Sequence, residues 1–490
     1  MNKIFGILLA YAMLLASCKP GDFGTLNYDQ TKVTRVPASA LLTNAIQITL
    51  PLTTFGPLES NSYVQYMANA TSIAEYNLIN FAWSSSWDLK AKMYDGPLNN
   101  LQTIINMNNE GDPMTESGGS KDNQLAVARI LKAYYFWTLT DRYGDIPYSE
   151  ALKGDANYTP KYDAQKDIYY DLFKELKEAA NQINGSQQGV TGDFLFKGDM
   201  NKWKIFANTC RMMMALRLIK NDFEKGKTEF NDALTGGVLT SNAENVIYNY
   251  VANDPNNYNP WYQAYTVESA NGTAIANTLV DFMSNQNDPR LPVYGEDLSG
   301  HVIGAPYGIR QVSVVGSFSR PGRSGCTASS CPDNFFRSAG APSSIFTYAQ
   351  VLFTLAEAAK VGYITGGDVA AETYYANAIK ASFEYYGVYD AVGYASFMAQ
   401  PDVVYEAANG LKQIMSQKWV HLFLNGQEAW ADWRRTGYPE LVPAANGAIA
   451  TIPRRMGYPA DESGVNPGGY KEAVQRQGPD DLTTRMWWDK

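Results

Sequence analysis

The stretch FTYAQVLFTLAEAAKVGYITGGDVAAETYYANAIKASFEYYG, residues 346–387, carries the clearest structural signal in this chain. Aromatic and alanine side chains recur at helical spacing in its first half, which predicts a helix over residues 346–364. Two consecutive glycines then break the helix, and Asp368 is a suitable N-cap for a second helix over residues 369–387. The stretch therefore predicts a closely packed helix pair of the tetratricopeptide type.

The same periodicity extends along much of the chain. Residues 165–183 place apolar side chains on one helical face and charged ones on the other, whereas residues 122–142 are apolar nearly all round and predict a buried helix. These two helices are expected to pack as a pair. Further helices are predicted over residues 62–82, 86–107, 202–220 and 409–434. We predict a mainly α fold whose scaffold consists of tetratricopeptide-like helix pairs. No strict 34-residue period runs along the chain, so the pairs are not regular tetratricopeptide repeats.

One long segment, residues 236–345, lacks this periodicity. Glycine, proline, asparagine and serine are frequent there, which predicts loops with short strands such as residues 310–315. Long irregular segments supported by a rigid scaffold commonly carry binding functions. We therefore expect a large, loop-rich ligand face.

The amino terminus has the features of an export signal. A short positive region and about a dozen apolar residues precede LASC at residues 15–18, a sequence that resembles the lipobox of bacterial lipoproteins. The apolar run is too short to span a bilayer, which needs roughly 20 residues. We predict a signal peptide over 1–17, a lipidated Cys18 that begins a tether over 18–36, and a single domain over 37–490. An ordinary secreted protein with an unmodified cysteine is the alternative.

Composition limits the chemistry that this chain can perform. The formal net charge of −9 disfavours nucleic-acid binding. The two histidines are His301, in a loop expected to be exposed, and His421, in an apolar helix, so a His-based metal site or Ser-His-Asp triad is disfavoured. Cys326 and Cys331 could form a disulfide in an exported protein, or remain unlinked. No metal or cofactor is expected.

A carboxylate pair leaves one enzymatic interpretation open. Glu428 and Asp432 are four residues apart on a predicted helix, which would allow a glycosidase mechanism. The alternative is a structural ion-pair network, since Asp432 can reach Arg435 at helical spacing.

Aromatic residues suggest where a ligand binds. The chain contains 33 Tyr, 20 Phe and 10 Trp, with a dense group in the asparagine- and proline-rich loop around residue 260. Rings with a polar edge can stack on sugars or on peptide side chains, although they can equally belong to the core. The candidate ligand-binding residues in this loop are Tyr258, Trp261, Tyr262 and Tyr265. Trp83 and Arg310 are weaker additional candidates.

An ordered set of segments spans the chain and supports a family assignment. These segments are RYGDIPYSEA (142–151), FTYAQVLFTLAEAA (346–359), QKW (417–419), NGQEAW (425–430), WRRTGYP (433–439), IPRR (452–455) and RMWWD (485–489). Together they resemble SusD-like (SusD/RagB) nutrient-binding outer-membrane lipoproteins.

This resemblance implies a cell-surface lipoprotein of the Bacteroidetes outer membrane that acts as a lid on a SusC-like TonB-dependent transporter. Such a protein captures a glycan, or in some members a peptide, for import and is not an enzyme. The shared segments are mostly structural, so no ligand residue is transferred from them. A surface glycosidase and a helical-repeat scaffold that binds another protein without a nutrient ligand remain the alternatives.

Overall fold

Helices form most of the described structure, which confirms the mainly α prediction. The computed structural model describes residues 35–55, 58–69, 93–267, 272–309, 316–322, 336–444 and 449–490. Numbering those of eight or more residues, the helices are α1 (Ala38–Phe55), α2 (Asn99–Glu110), α3 (Lys121–Tyr143), α4 (Gln165–Gln182), α5 (Met200–Ala215), α6 (Phe223–Thr235), α7 (Asn277–Asn285), α8 (Tyr348–Val361), α9 (Gly367–Tyr385), α10 (Ala391–Met398), α11 (Gly410–His421), α12 (Gly426–Thr436) and α13 (Pro467–Gln477). Shorter helices cover Leu58–Tyr63, Pro260–Tyr262, Leu291–Tyr294 and Glu462–Val465.

The helix pair predicted from residues 346–387 is present as α8 and α9, which pack closely on each other. The helix α8 begins two residues later than predicted because Phe346 ends a strand and Thr347 Oγ1 caps the helix by accepting a hydrogen bond from Gln350 N at 3.2 Å. Gly362 ends α8 in the left-handed region, with φ of +86°.

The prediction that Asp368 caps α9 is wrong. Gly366, with φ of +105°, occupies the N-cap position, and no side chain caps the helix. Asp368 lies in the first turn, where its carboxylate accepts hydrogen bonds from Lys360 Nζ at 2.6 Å and Tyr405 Oη at 2.7 Å. The acidic side chain therefore joins α9 to α8 and to the segment before α11.

Successive helices in the first half of the domain pack on their neighbours, from α1 through α6. The predicted pairing of residues 122–142 with residues 165–183 is confirmed by the packing of α3 on α4. As expected from its apolar sequence, α3 is buried along nearly its whole length. These helices, together with α8 and α9, enclose the larger hydrophobic core.

Two of the other predicted helices differ from the structure. The helix expected over 62–82 stops at Tyr63, and Met67–Asn69 form a strand instead; residues 70–92 lie outside the described part. The helix expected over 409–434 is divided between α11 and α12, because Leu424 adopts a φ of +67° that a continuing helix does not permit.

Three two-stranded antiparallel sheets occur within the described ranges. Strand β1 (Met67–Asn69) pairs with β5 (Thr273–Ile275), β2 (Ile146–Pro147) with β3 (Tyr162–Asp163), and β4 (Val246–Tyr248) with β6 (Ser343–Phe346). The strand expected at 310–315 lies outside the described residues. The pairing of β1 with β5 fastens the loop-rich segment to the amino-terminal part of the domain.

The described residues from Ala38 to Lys490 form one compact unit. Within this unit, a further buried aromatic cluster links the loop-rich segment to α11 and α12. None of the helices in the described ranges has both the length and the apolar character needed to cross a bilayer. The predicted signal peptide and Cys18 lie outside the described residues.

Candidate ligand-binding site

An asparagine cap positions the aromatic residues of the loop-rich segment. Asn259 Oδ1 accepts hydrogen bonds from the backbone N–H groups of Trp261 at 2.8 Å and Tyr262 at 3.3 Å, which starts the short helix Pro260–Tyr262. Asn259 Nδ2 also donates to the carbonyl oxygen of Ala341 at 2.9 Å. The buried Asn259 therefore fixes this turn against the segment that leads into β6.

The turn brings together all four predicted rings, Tyr258, Trp261, Tyr262 and Tyr265, which we call the aromatic loop cluster. Tyr258 and Tyr262 are half-buried and meet edge to face, with ring centroids 5.1 Å apart. Trp261 and Tyr265 stack almost parallel at 5.8 Å and are only 6% and 7% exposed. The cluster thus consists of a partly accessible tyrosine pair and a buried tryptophan–tyrosine pair.

Charged side chains hold the buried pair in place. The guanidinium carbons of Arg320 and Arg337 lie 5.4 and 5.6 Å from the centre of the Tyr265 ring. Both arginines form ion pairs with Glu296, at 3.0 and 3.2 Å. Burial opposes ionisation of Glu296, but Arg320 and Arg337 hold the pKa of its carboxyl below the ordinary value.

Tyr265 is fixed as a neutral phenol. Burial raises the pKa of Tyr265 above its ordinary value, and its hydroxyl donates a hydrogen bond to the Thr273 carbonyl oxygen at 3.1 Å. The indole Nε1–H of Trp261, in contrast, is buried without a hydrogen-bond partner among the described residues. A buried donor of this kind is ordinarily hydrogen-bonded to protein or to ordered water.

Two of the predicted site residues, Trp83 and Arg310, lie outside the described residues, as do Cys326 and Cys331. Sequence reasoning missed Glu296, Arg320 and Arg337. Arg320 lies 24 positions after Glu296, so no local spacing reveals that the two side chains meet.

The carboxylates considered for catalysis belong to a buried ion-pair network. Glu428 accepts from Arg217 Nη2 at 2.6 Å, while Asp432 lies 2.7 Å from Lys418 Nζ and 2.8 Å from Arg435 Nη2. Burial by itself would raise the pKa of Asp432, but Lys418, Arg435 and Arg217 lower it below its ordinary value. The expected contact between Asp432 and Arg435 is confirmed, so these carboxylates have a structural role.

The histidines are placed as expected. His301 is exposed, whereas His421 is buried, with Nε2 2.6 Å from Thr347 Oγ1 and Nδ1 2.9 Å from Ser382 Oγ. Burial, aided by Arg290 and Lys418, lowers the pKa of His421 to about 3. His421 is therefore a neutral core residue that joins α8, α9 and α11.

Replacing His421 by asparagine is expected to alter the pH dependence of stability. An unfolded histidine gains a proton near pH 6.5, while the folded His421 stays neutral down to about pH 3. The stabilising effect of the neutral histidine is therefore complete above about pH 6.5 and decreases as the pH falls towards 3. Urea unfolding at about pH 7, 6 and 5 should show the stability advantage of wild type over His421→Asn shrinking by about 1.4 kcal/mol per pH unit below 6.5. A stability difference between the two proteins that stayed constant from pH 7 to pH 5 would contradict the assignment of His421 as a neutral buried side chain.

Comparisons with known proteins point to one family. The family description "SusD-like_2: Starch-binding associating with outer membrane" matches residues 30–459. A solved structure of a chitin-binding protein has 29% identity and a TM-score of 0.74, covering 92% of this chain and 99% of its own. A chitin-binding SusD homologue from Flavobacterium johnsoniae has 26% identity and a TM-score of 0.73, with coverages of 92% and 98%. A SusD homologue from Bacteroides uniformis has 25% identity and a TM-score of 0.72, with the same coverages. The curated proteins contain no match to this sequence.

Proposed function

This chain belongs to the SusD-like family of starch-binding proteins that associate with the outer membrane, and on that premise we propose that it captures a glycan through the aromatic loop cluster. The ligand then passes to a SusC-like TonB-dependent transporter. The protein acts by binding and not by catalysis. Similar solved proteins are described as chitin-binding, which makes a neutral polysaccharide fragment the first ligand class to test.

The observation that carries this proposal is the paired arrangement of the four rings. Tyr258 and Tyr262 present partly accessible aromatic surface, and sugar rings have apolar faces that stack on such surface. Trp261 and Tyr265 stack on each other and are buried, so this part of the loop is already fixed before a ligand binds.

Removing both accessible rings should weaken glycan binding. For Tyr258→Ala/Tyr262→Ala, we expect the dissociation constant for chitohexaose or maltohexaose to rise by about 10- to 100-fold, because two stacking surfaces are lost. Calorimetric titration of the full chain measures this effect. Tyr389→Ala is the matched control, since this ring is 39% exposed but lies on the segment after α9. If Tyr258→Ala/Tyr262→Ala and Tyr389→Ala bound the glycan with equal affinity, the aromatic loop cluster would be ruled out as the binding site.

The transporter partnership and lipid anchor are part of the same proposal. A lidding protein must be tethered beside its transporter yet free to move, and acylated Cys18 followed by the predicted tether would meet both requirements.

Gentle detergent extraction followed by mass spectrometry should recover a TonB-dependent barrel with the protein. Cys18→Ala should lose membrane association while retaining glycan affinity. Recovery of an unrelated protein partner and no glycan binding would favour the scaffold alternative.

The glycosidase alternative has little support from the described residues. Glu428 and Asp432 are buried, and both engage cations in ion pairs. Release of reducing sugar from chitin or starch, lost on Glu428→Gln, would favour the enzyme. A peptide is the alternative ligand class for the aromatic loop cluster, so tryptic peptides should be titrated alongside the glycans.

A further inference from the structure

A separate cleft of about 440 Å³ opens between the turn at Tyr94, the loop after β2 and the helix Glu462–Val465. This volume falls within the roughly 300–1,000 Å³ typical of small-molecule sites. The residues that line it include none of the four rings of the aromatic loop cluster. The cleft is therefore separate from the aromatic loop cluster.

Two exposed apolar side chains line this cleft. The Tyr158 ring is 74% exposed, and Val465 is 59% exposed. The hydroxyl of Tyr158 donates a hydrogen bond to Asp155 Oδ1 at 2.7 Å, which restrains the ring at the rim. An exposed and restrained aromatic ring beside a cleft is a suitable stacking surface for a sugar.

The loop that carries Tyr158 is held against its surroundings. Asn157 Nδ2 donates to Glu150 Oε2 at 3.2 Å, and Asn466 Nδ2 donates to the carbonyl oxygen of Pro160 at 2.7 Å. The hydroxyl of Tyr162 donates to Glu462. The bonds of Asn466 and Tyr162 connect the two walls of the cleft, so its shape is largely set before a ligand arrives.

Charge narrows the ligand class. Three acidic residues line the cleft, Asp95, Asp155 and Glu462, together with one basic residue, Lys153. The phenol groups of Tyr94 and Tyr158 also line it. Carboxylate oxygens accept hydrogen bonds from hydroxyl and ammonium groups and repel anions. A ligand with many hydroxyl groups and no negative charge fits this lining.

Another cleft of about 450 Å³ lies between α7, α9 and α11, but its aromatic side chains are less exposed than Tyr158. Its aromatic side chains are Phe282, which is half-buried, and Tyr375, which is buried. Without an exposed ring among the described residues that line it, this second cleft offers no comparable stacking surface.

We propose that the cleft at Tyr158 is a second oligosaccharide-binding site, which takes neutral or amino sugars with a pyranose face against the Tyr158 ring. The ligand class rests on the proposed function, whereas the location rests on the cleft itself. A second site would let the protein hold a long polysaccharide at two points, which raises the overall affinity through effective concentration.

The test uses a background in which the aromatic loop cluster is disabled. In the full chain carrying Tyr258→Ala/Tyr262→Ala, calorimetry with chitohexaose and maltohexaose should detect residual binding to one of these probes. Adding Tyr158→Ala should weaken that residual binding by about tenfold or more, while adding Tyr389→Ala should leave it unchanged. Both triple variants should retain the melting temperature of the background, since both rings are exposed or half-exposed.

Three results would overturn the second site. Residual affinity that is the same with and without Tyr158 places the remaining binding elsewhere. Complete loss of binding in the double-variant background, with wild type binding normally, shows that one site accounts for all capture and leaves the proposed function intact. If wild type binds neither hexasaccharide, the proposed glycan function fails together with the second site.

Discussion

Arg217→Met is expected to lower the free energy of unfolding by about 3–5 kcal/mol, because the substitution leaves the buried Glu428 and Asp141 without their ion-pair partner. The guanidinium of Arg217 lies 2.6 Å from Glu428, 3.2 Å from Asp141 and 3.5 Å from Asp432. Methionine has a similar length but cannot neutralise these groups. Urea unfolding monitored by circular dichroism measures the change.

An exposed ion pair provides the control. Lys412 and Glu440 are 2.9 Å apart, and both side chains are largely accessible to water. Such pairs contribute about 0–1 kcal/mol, so Lys412→Met should leave the unfolding curve nearly unchanged. Equal losses for Arg217→Met and Lys412→Met would show that the network around Asp432 does not stabilise the fold.

Trp261→Ala is expected to cost about 3–5 kcal/mol of stability, because it removes a large buried ring and leaves a cavity. Trp261 packs in the buried cluster that includes Trp419 and Trp430, and it supports Tyr265 by stacking. Loss of this support should also weaken glycan binding. Thermal and urea unfolding, followed by calorimetry at a temperature where the variant is folded, separate the two effects.

Two variants distinguish a supporting ring from an accessible one. Trp261→Phe keeps an aromatic side chain and removes an indole N–H that has no partner among the described residues, so we expect it to cost less than about 1.5 kcal/mol. Tyr262→Ala, at a half-buried position, should affect binding more than stability. If Trp261→Ala were as stable as Tyr262→Ala, the assignment of Trp261 to the core would be incorrect.

The helical scaffold is readable from the sequence because its signals are local. The apolar spacing of residues 346–387 identified α8 and α9, and the uniformly apolar character of residues 122–142 identified the buried α3. These patterns depend on neighbours within a few turns. The packing of α3 on α4 agrees with the uniformly apolar surface of α3 and the single apolar face of α4, despite the long connection between the two helices.

The errors arise where distant residues or unusual backbone angles determine the structure. Met67–Asn69 form a strand because they pair with Thr273–Ile275, about two hundred residues later. The helix expected over 409–434 is interrupted at Leu424, a residue type that rarely adopts positive φ and gives no sequence signal for it. Tertiary context overrides local propensity in both cases.

The candidate site was predicted in part. Composition located the aromatic loop cluster, but only the structure separates the half-buried Tyr258 and Tyr262 from the buried Trp261 and Tyr265. The cleft at Tyr158 could not be predicted, since its walls come from segments that lie far apart in the chain. The residue types are known from the sequence, whereas the solvent exposure of each side chain depends on how distant segments pack together.

A crystal structure of the protein soaked with chitohexaose or maltohexaose would locate the ligand directly. The proposed function predicts sugar rings stacked on Tyr258 and Tyr262, with Trp261 and Tyr265 still buried. A hexasaccharide bound elsewhere on the protein, with both tyrosine rings uncovered at saturating ligand, would contradict it.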